Sequence, residues 1–122
     1  MLPFDDVGIN PVIGKRIENA AMDWLTDNPN KPLDVEEIVR RVERSAKYIN
    51  SALYLLAAAR VLKMTFVPHC HKCGVKIGER YFSAFVIQDE LFFCDNCGEI
   101  VDREKCEARI EFWRPGTPVD AR

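Results

Sequence analysis

The chain has 122 residues, 48% of them hydrophobic, and its 17 basic and 19 acidic side chains give a formal charge of −2. That length admits one ordinary domain or two small ones, and the charge excludes the bulk basicity of a strong nucleic-acid binder in either half: nine basic and nine acidic residues precede Val67, eight basic and ten acidic follow it. The longest uncharged apolar stretch, Ala52 to Ala59, is far shorter than the roughly 20 residues that cross a bilayer, which excludes a transmembrane helix and leaves no membrane partner expected.

Residues 1–11, with Pro3, Asp5, Asp6, Gly8 and Pro11, read as an irregular N-terminal arm in which Leu2, Phe4 and Ile9 are available for docking. From Val12 onward Ile13, Ile17, Ala20, Ala21, Trp24 and Leu25 recur at the spacing of an amphipathic helix that ends near Asn28 and Pro29, with Trp24 as a core anchor. After the turn cluster Asn28 to Pro32, Asp34 is placed to cap a second helix of about three turns carrying Val35, Ile38, Val39 and Val42. Ser45 caps a third, whose Ala46, Ile49, Leu53, Leu56 and Ala57 face the core, with Arg60 near its end to suit the helix dipole. A short strand, Val61 to Val67, follows and is stopped by Pro68.

Three helices and a strand give the outline of a winged helix-turn-helix domain over residues 12–67. The segments Pro32 to Val42 and Ser45 to Leu56 resemble the helix-turn-helix of many bacterial and archaeal winged-helix regulators, in which the serine opens the recognition helix. The turn here lacks a glycine, and no basic wing hairpin follows the third helix.

The most specific chemical signal comes next. Cys70 and Cys73, then Cys94 and Cys97, spell C-x2-C-x20-C-x2-C, four soft ligands at the spacing of a tetrahedral zinc site. Each pair runs into a glycine, Gly74 and Gly98, which supplies the positive φ that curls the backbone beneath converging sulfurs. Two disulfides are the main competing reading, but no signal peptide is visible and Cys106 is left over, so an intracellular, cytoplasmic location is expected. Iron is the other metal that thiolates accept in this pattern. With all four thiolates used, one structural Zn2+ is expected, in a closed site without an open position for water or substrate.

Between the knuckles, Tyr81, Phe82, Phe85, Val86, Ile87, Leu91, Phe92 and Phe93 are β-prone, with Gln88, Asp89 and Glu90 as the hairpin turn. Cys106, Ala108, Ile110 and Phe112 alternate with charged residues as in a half-buried strand, completing a three-stranded antiparallel zinc ribbon over residues 68–113 and making Cys106 a buried free thiol. Residues 114–122 read as a flexible tail. The fold class is therefore α+β, a winged helix-turn-helix followed by a zinc ribbon. This order of domains resembles the N-terminal half of the large subunit of the general transcription factor IIE and its archaeal counterpart, transcription factor E. The resemblance implies a transcription-associated factor that contacts polymerase and promoter DNA.

Two functional readings follow. In the first, Lys47, Asn50, Ser51 and Tyr54 share the outer side of the third helix and meet DNA, while Arg40, Arg41 and Arg44 neutralise phosphate. In the second, the chain is an adaptor that docks on a larger protein complex such as a transcription assembly, with Trp113 as an exposed anchor or, alternatively, a packed one. An enzyme is not expected: no P-loop, G-x-S-x-G or H-E-x-x-H occurs, no small-molecule substrate is implied, and strand alternation turns His69 and His71 away from Cys70.

Overall fold

A computed structural model describes residues 4–122; the expectation that Leu2 docks lies outside them. The chain is mixed α and β and divides into two compact units, one running up to Lys63 and adding Phe112–Pro118, the other formed by Met64–Glu111 and Val119–Arg122.

The first unit is helical. A short 3-10 turn, Phe4–Val7, precedes α1 (Pro11–Asp27), α2 (Val35–Val42) and α3 (Ala46–Ala58). Each of these helices starts where a side chain satisfies amide groups that the first turn leaves unpaired. Asn10 accepts from Val12 and Ile13, Asp34 from Glu37, and Ser45 from Tyr48. Glu43 ends α2 in the left-handed region at φ 59°, and Arg60 makes the turn after α3 at φ 63°. Ile17, Ala21 and Leu25 of α1, Ile38 and Val42 of α2, and Ile49, Ala52, Leu53 and Leu56 of α3 form the core, sealed by the docked Phe4 and Ile9. Trp24 is half-buried, and Ala46, expected inside, lies exposed at the capped start of α3. Within this unit Tyr54 meets Phe112 edge to face at 6.1 Å, and Leu33 donates its amide to the Phe112 carbonyl at 2.7 Å.

The strand after α3 is β1 (Lys63–Cys70), which passes through Pro68 and ends on the first knuckle. Pro68 does not stop it because a proline forfeits only its own N–H, and its carbonyl still accepts from the Ile77 amide at 3.0 Å. The ladder partner of β1 is β4 (Cys106–Trp113), distant in sequence, while the segment that follows β1 adds antiparallel bridges to it rather than a second full strand.

The second unit differs from the expected three-stranded ribbon. Its strands form separate two-stranded sheets, β1 with β4 and β2 (Phe92–Phe93) with β3 (Ile100–Val101). Only the isolated bridges Phe66 to Tyr81 and His69 to Lys76 add to the other side of β1. The stretch expected to form a β-hairpin about Gln88 instead contains a helical turn, α4 (Ala84–Gln88), because Ser83 accepts the Phe85 amide as an N-cap and redirects the chain. Residues 114–122 are tied down rather than loose: the Thr117 carbonyl accepts from Lys63 Nζ at 3.1 Å, and the Arg122 backbone exchanges 2.8 Å hydrogen bonds with Arg80 and Phe82. In the second unit the Glu111 carboxylate joins Arg80 at 2.7 Å to the buried Thr65 hydroxyl at 3.1 Å.

Candidate metal centre

The two C-x2-C-G segments fold into the same local structure. Gly74 and Gly98 take φ of 75° and 76°. Their amides donate to the Cys70 and Cys94 carbonyls at 2.7 and 2.8 Å, and the amides of Cys70 and Cys94 donate to the carbonyls of Val75 and Glu99, both at 2.9 Å. Cys70 is the last residue of β1 and the second knuckle joins β2 to β3, so each knuckle has strand on its entry side.

These turns bring all four Sγ atoms within 4.8 Å of one another. The short contacts cross between knuckles, Cys70 to Cys97 at 3.7 Å and Cys73 to Cys94 at 3.4 Å. A tetrahedron of thiolates about zinc, with Zn–S of about 2.3 Å, has edges of about 3.8 Å. The sulfurs are far beyond the ~2.05 Å of a disulfide, and all five cysteines are free thiols, which removes the disulfide reading. The four cysteines are thus positioned to hold one metal ion, and they alone form such a group among the described residues.

Hydrogen bonds, burial and the crowding of the sulfurs drive two of their acidities apart. Hydrogen bonds from the Val75 backbone and the Asn96 side chain favour the Cys73 thiolate and bring it down to about 6. At Cys97 the Glu99 amide acts in the same direction, but burial and the crowding of the other three sulfurs outweigh it and push this thiol up to about 12. Four thiolates cannot share so small a volume without positive charge, which a divalent ion would supply. Outside the sulfurs, Glu99 bridges Lys72 at 3.1 Å and Lys105 at 3.4 Å. Hydrogen bonding to Lys72 and then Lys105 lowers the Glu99 carboxyl from its ordinary value, while Lys72 is raised chiefly by its bond to Glu99, with smaller help from Cys97 and Cys70. Cys70, Cys94 and Val101 are fully buried, and Ile77, Phe92 and Cys106 pack against them. Cys106 is half-buried rather than fully enclosed, and its thiol is raised mainly by burial.

Neither histidine joins the cluster. His69 Nδ1 pairs with the Val67 carbonyl and His71 Nδ1 with that of Lys105, both at 2.9 Å. A surface cleft of about 440 Å³ beside Cys94 is lined by Val75, Ile77, Phe93 and Asp95 among others, and Asp95 is not among the four residues positioned for a metal.

The residues assigned to nucleic acid are on the helical unit. Lys47, Ser51 and Tyr54 are exposed and Asn50 is half-exposed, so this face of α3 is open, and the Ser51 hydroxyl donates to the Lys47 carbonyl at 3.0 Å. Arg40 and Arg41 are less available: both bind the Glu37 carboxylate, at 2.6 and 3.1 Å. Arg44 is exposed and donates to the Glu43 carbonyl. Trp113 is only 5% exposed, which overturns the exposed-anchor reading; β4 carries buried residues on both sides at its end, Phe112 at 1% and Trp113 beside it. The sequence reading also missed the β2–β3 pairing, for which the signal was present: two β-prone residues enter the second knuckle and two leave it, as they must in a tight hairpin. Among the described residues no helix is long and apolar enough to cross a membrane. No protein-family model, curated protein or solved structure matches the chain, so its functional reading rests on the residues themselves.

Proposed function

We propose that this is a non-enzymatic, intracellular zinc protein in which a closed four-cysteine centre holds one unit folded while the helical unit contacts nucleic acid, in a transcription or related assembly. The observation that carries the zinc half is the convergence of four sulfurs from two copies of one turn. Zinc suits four thiolates in a tetrahedron, and a fully thiolate-bound ion has no vacancy for substrate, so its role is to fold the chain.

The nucleic-acid half rests on reading α1 to α3 as a helix-turn-helix, and its order before the four-cysteine segment resembles the N-terminal half of the transcription factor IIE large subunit and its archaeal counterpart. Lys47, Asn50 and Tyr54 lie on one open face of α3, and asparagine can hydrogen-bond adenine in two places while lysine meets phosphate. With Arg40 and Arg41 held by Glu37, Lys47 and Arg44 are the cations that carry phosphate contact in this reading.

Fluorescence anisotropy of the zinc-loaded chain with labelled duplex and single-stranded DNA over a salt series tests it. Binding should weaken steeply as salt rises, because phosphate contacts release counterions, and Lys47→Ala with Asn50→Ala should weaken it by at least about tenfold. Absence of binding at low salt, or an unchanged affinity in the double variant, defeats the groove model.

A further inference from the structure

The β2–β3 hairpin of the metal unit has two unlike faces. Phe93 lies opposite Ile100 in the register, and both are exposed, at 60% and 64%. Their neighbours Phe92 and Val101, also paired, point the other way, with Val101 fully buried. Leu91 precedes Phe93 by two residues and Asp102 follows Ile100 by two, so the pleat returns both toward the exposed side, where Leu91 is 70% exposed. Three large apolar side chains thus stand on a short hairpin whose far end is the second cysteine knuckle. Such a face is costly to leave in water unless something covers it.

The charge beside this face specifies the cover. Leu91 lines a cleft of about 330 Å³ together with Asp89, Glu90, Asp102, Glu104 and Arg103, four carboxylates against one guanidinium. Among the described residues none of these carboxylates has an ion pair, and Asp102 has only the amides of Glu104 and Lys105, at 3.0 and 3.2 Å, on its carboxylate. Negative charge left unbalanced next to exposed leucine, phenylalanine and isoleucine disfavours nucleic acid and anionic lipid. It also disfavours a second copy of this chain, because a two-fold contact through this face would set carboxylates against carboxylates.

We propose that this hairpin face docks a basic amphipathic segment of a partner protein, whose apolar side chains cover Leu91, Phe93 and Ile100 while its lysines or arginines meet Asp89, Glu90, Asp102 and Glu104. The apolar contact supplies affinity, and the carboxylates set partner choice and speed the encounter. The surface shares no residue with the α3 face, so its test does not depend on DNA binding.

The test uses the zinc-loaded full chain labelled with 15N and two synthetic amphipathic peptides with identical leucine spacing, one with lysine and one with glutamate at the polar positions. The lysine peptide should shift amides of residues 89–93 and 100–104 and bind at least about tenfold more tightly than the glutamate peptide, with the difference shrinking in salt. Leu91→Ser with Ile100→Ser should weaken it at least about tenfold, the scale of losing two buried anchors. Asp89→Asn, Glu90→Gln and Glu104→Gln together remove three of the four carboxylates and should cut the preference for lysine to within about threefold while leaving metal content intact, so this variant decides the matter even if the apolar one loses zinc. Equal affinity for both peptides, shifts confined to other residues, or full binding by the charge variant would overturn the proposal. So would a concentration-dependent dimer in sedimentation that disappears in Leu91→Ser with Ile100→Ser, since the face would then belong to a second copy.

Discussion

Replacing Cys94 by serine tests what holds the metal unit together. Cys94 is fully buried, its Sγ lies 3.4 Å from that of Cys73, and its carbonyl and amide close the second knuckle through Gly98 and Glu99. Serine keeps the size and the turn but offers a hydroxyl that stays protonated at neutral pH, so one of four metal bonds is lost with little steric change. The apolar side chains packed with the sulfurs are few, Val101, Ile77 and Phe92, and each contributes about 2 kcal/mol by burial. Structural zinc contributes on the order of 10 kcal/mol or more in small metal-dependent units. The metal therefore exceeds its apolar surroundings, and Cys94→Ser should leave the two knuckles and the β2–β3 hairpin without a stable fold. Metal analysis of the purified protein should give about one zinc per chain for the parent and almost none for the variant, as expected of a four-thiolate site. Hydrogen exchange should show Gly74, Cys94 and Gly98 amides losing protection while the amides of α1 to α3 keep theirs, and chelation of the parent should produce the same pattern. A variant that retains its metal and protected knuckles would refute the four-cysteine assignment and the argument that metal outweighs core.

Two further predictions concern the helical unit. A Cβ at Gly14 would fall 2.7 to 2.8 Å from ring atoms of the buried Phe4, so Gly14→Ala should destabilise by about 1 kcal/mol in urea titration, overpacking of 1–3 kcal/mol exceeding alanine's helix advantage of about 1 kcal/mol; a stabilised variant would show that Phe4 does not hold this position. Glu37 is lowered from its ordinary 4.5 first by its hydrogen bond with Arg40 and then by that with Arg41. Its pairing therefore stabilises the fold above pH 4.5, and that contribution is lost as pH falls through the lower folded value. Thermal midpoints of the parent and of Glu37→Gln should accordingly diverge above pH 4.5 and converge in acid, since metal loss at low pH affects both alike; parallel curves across that range would exclude a stabilising role for the pair.

What was legible in the sequence and what was not separates by distance along the chain. Asn10, Asp34 and Ser45 were each placed to begin a helix, two of them named as caps from sequence, because a cap bonds an amide two or three residues ahead. The metal site was legible for the same reason: a five-residue segment with glycine at positive φ builds half of it, and the segment occurs twice. α1 and α3 ended close to the expected boundaries, since hydrophobic period and capping agree over these segments, whereas α2, with 8 residues, falls short of the expected three turns because Glu43 leaves the helix in the left-handed region. The β-prone run between the knuckles misled, because composition marks residues that suit a sheet without marking the Ser83 cap that turns the chain into α4.

By itself the sequence determined the local geometry: three capped helices, two metal knuckles, and therefore a cluster of thiolates. Tertiary structure alone decided which distant segments met. It paired β1 with β4 and kept β2 and β3 as a sheet of their own. It buried Trp113, and it left Leu91, Phe93 and Ile100 facing water beside a cleft of four carboxylates and one arginine. The physical reason is that backbone dihedrals, caps and knuckle turns are settled by neighbours a few residues away. Whether a phenylalanine or tryptophan is core or surface depends instead on which remote segment arrives to cover it.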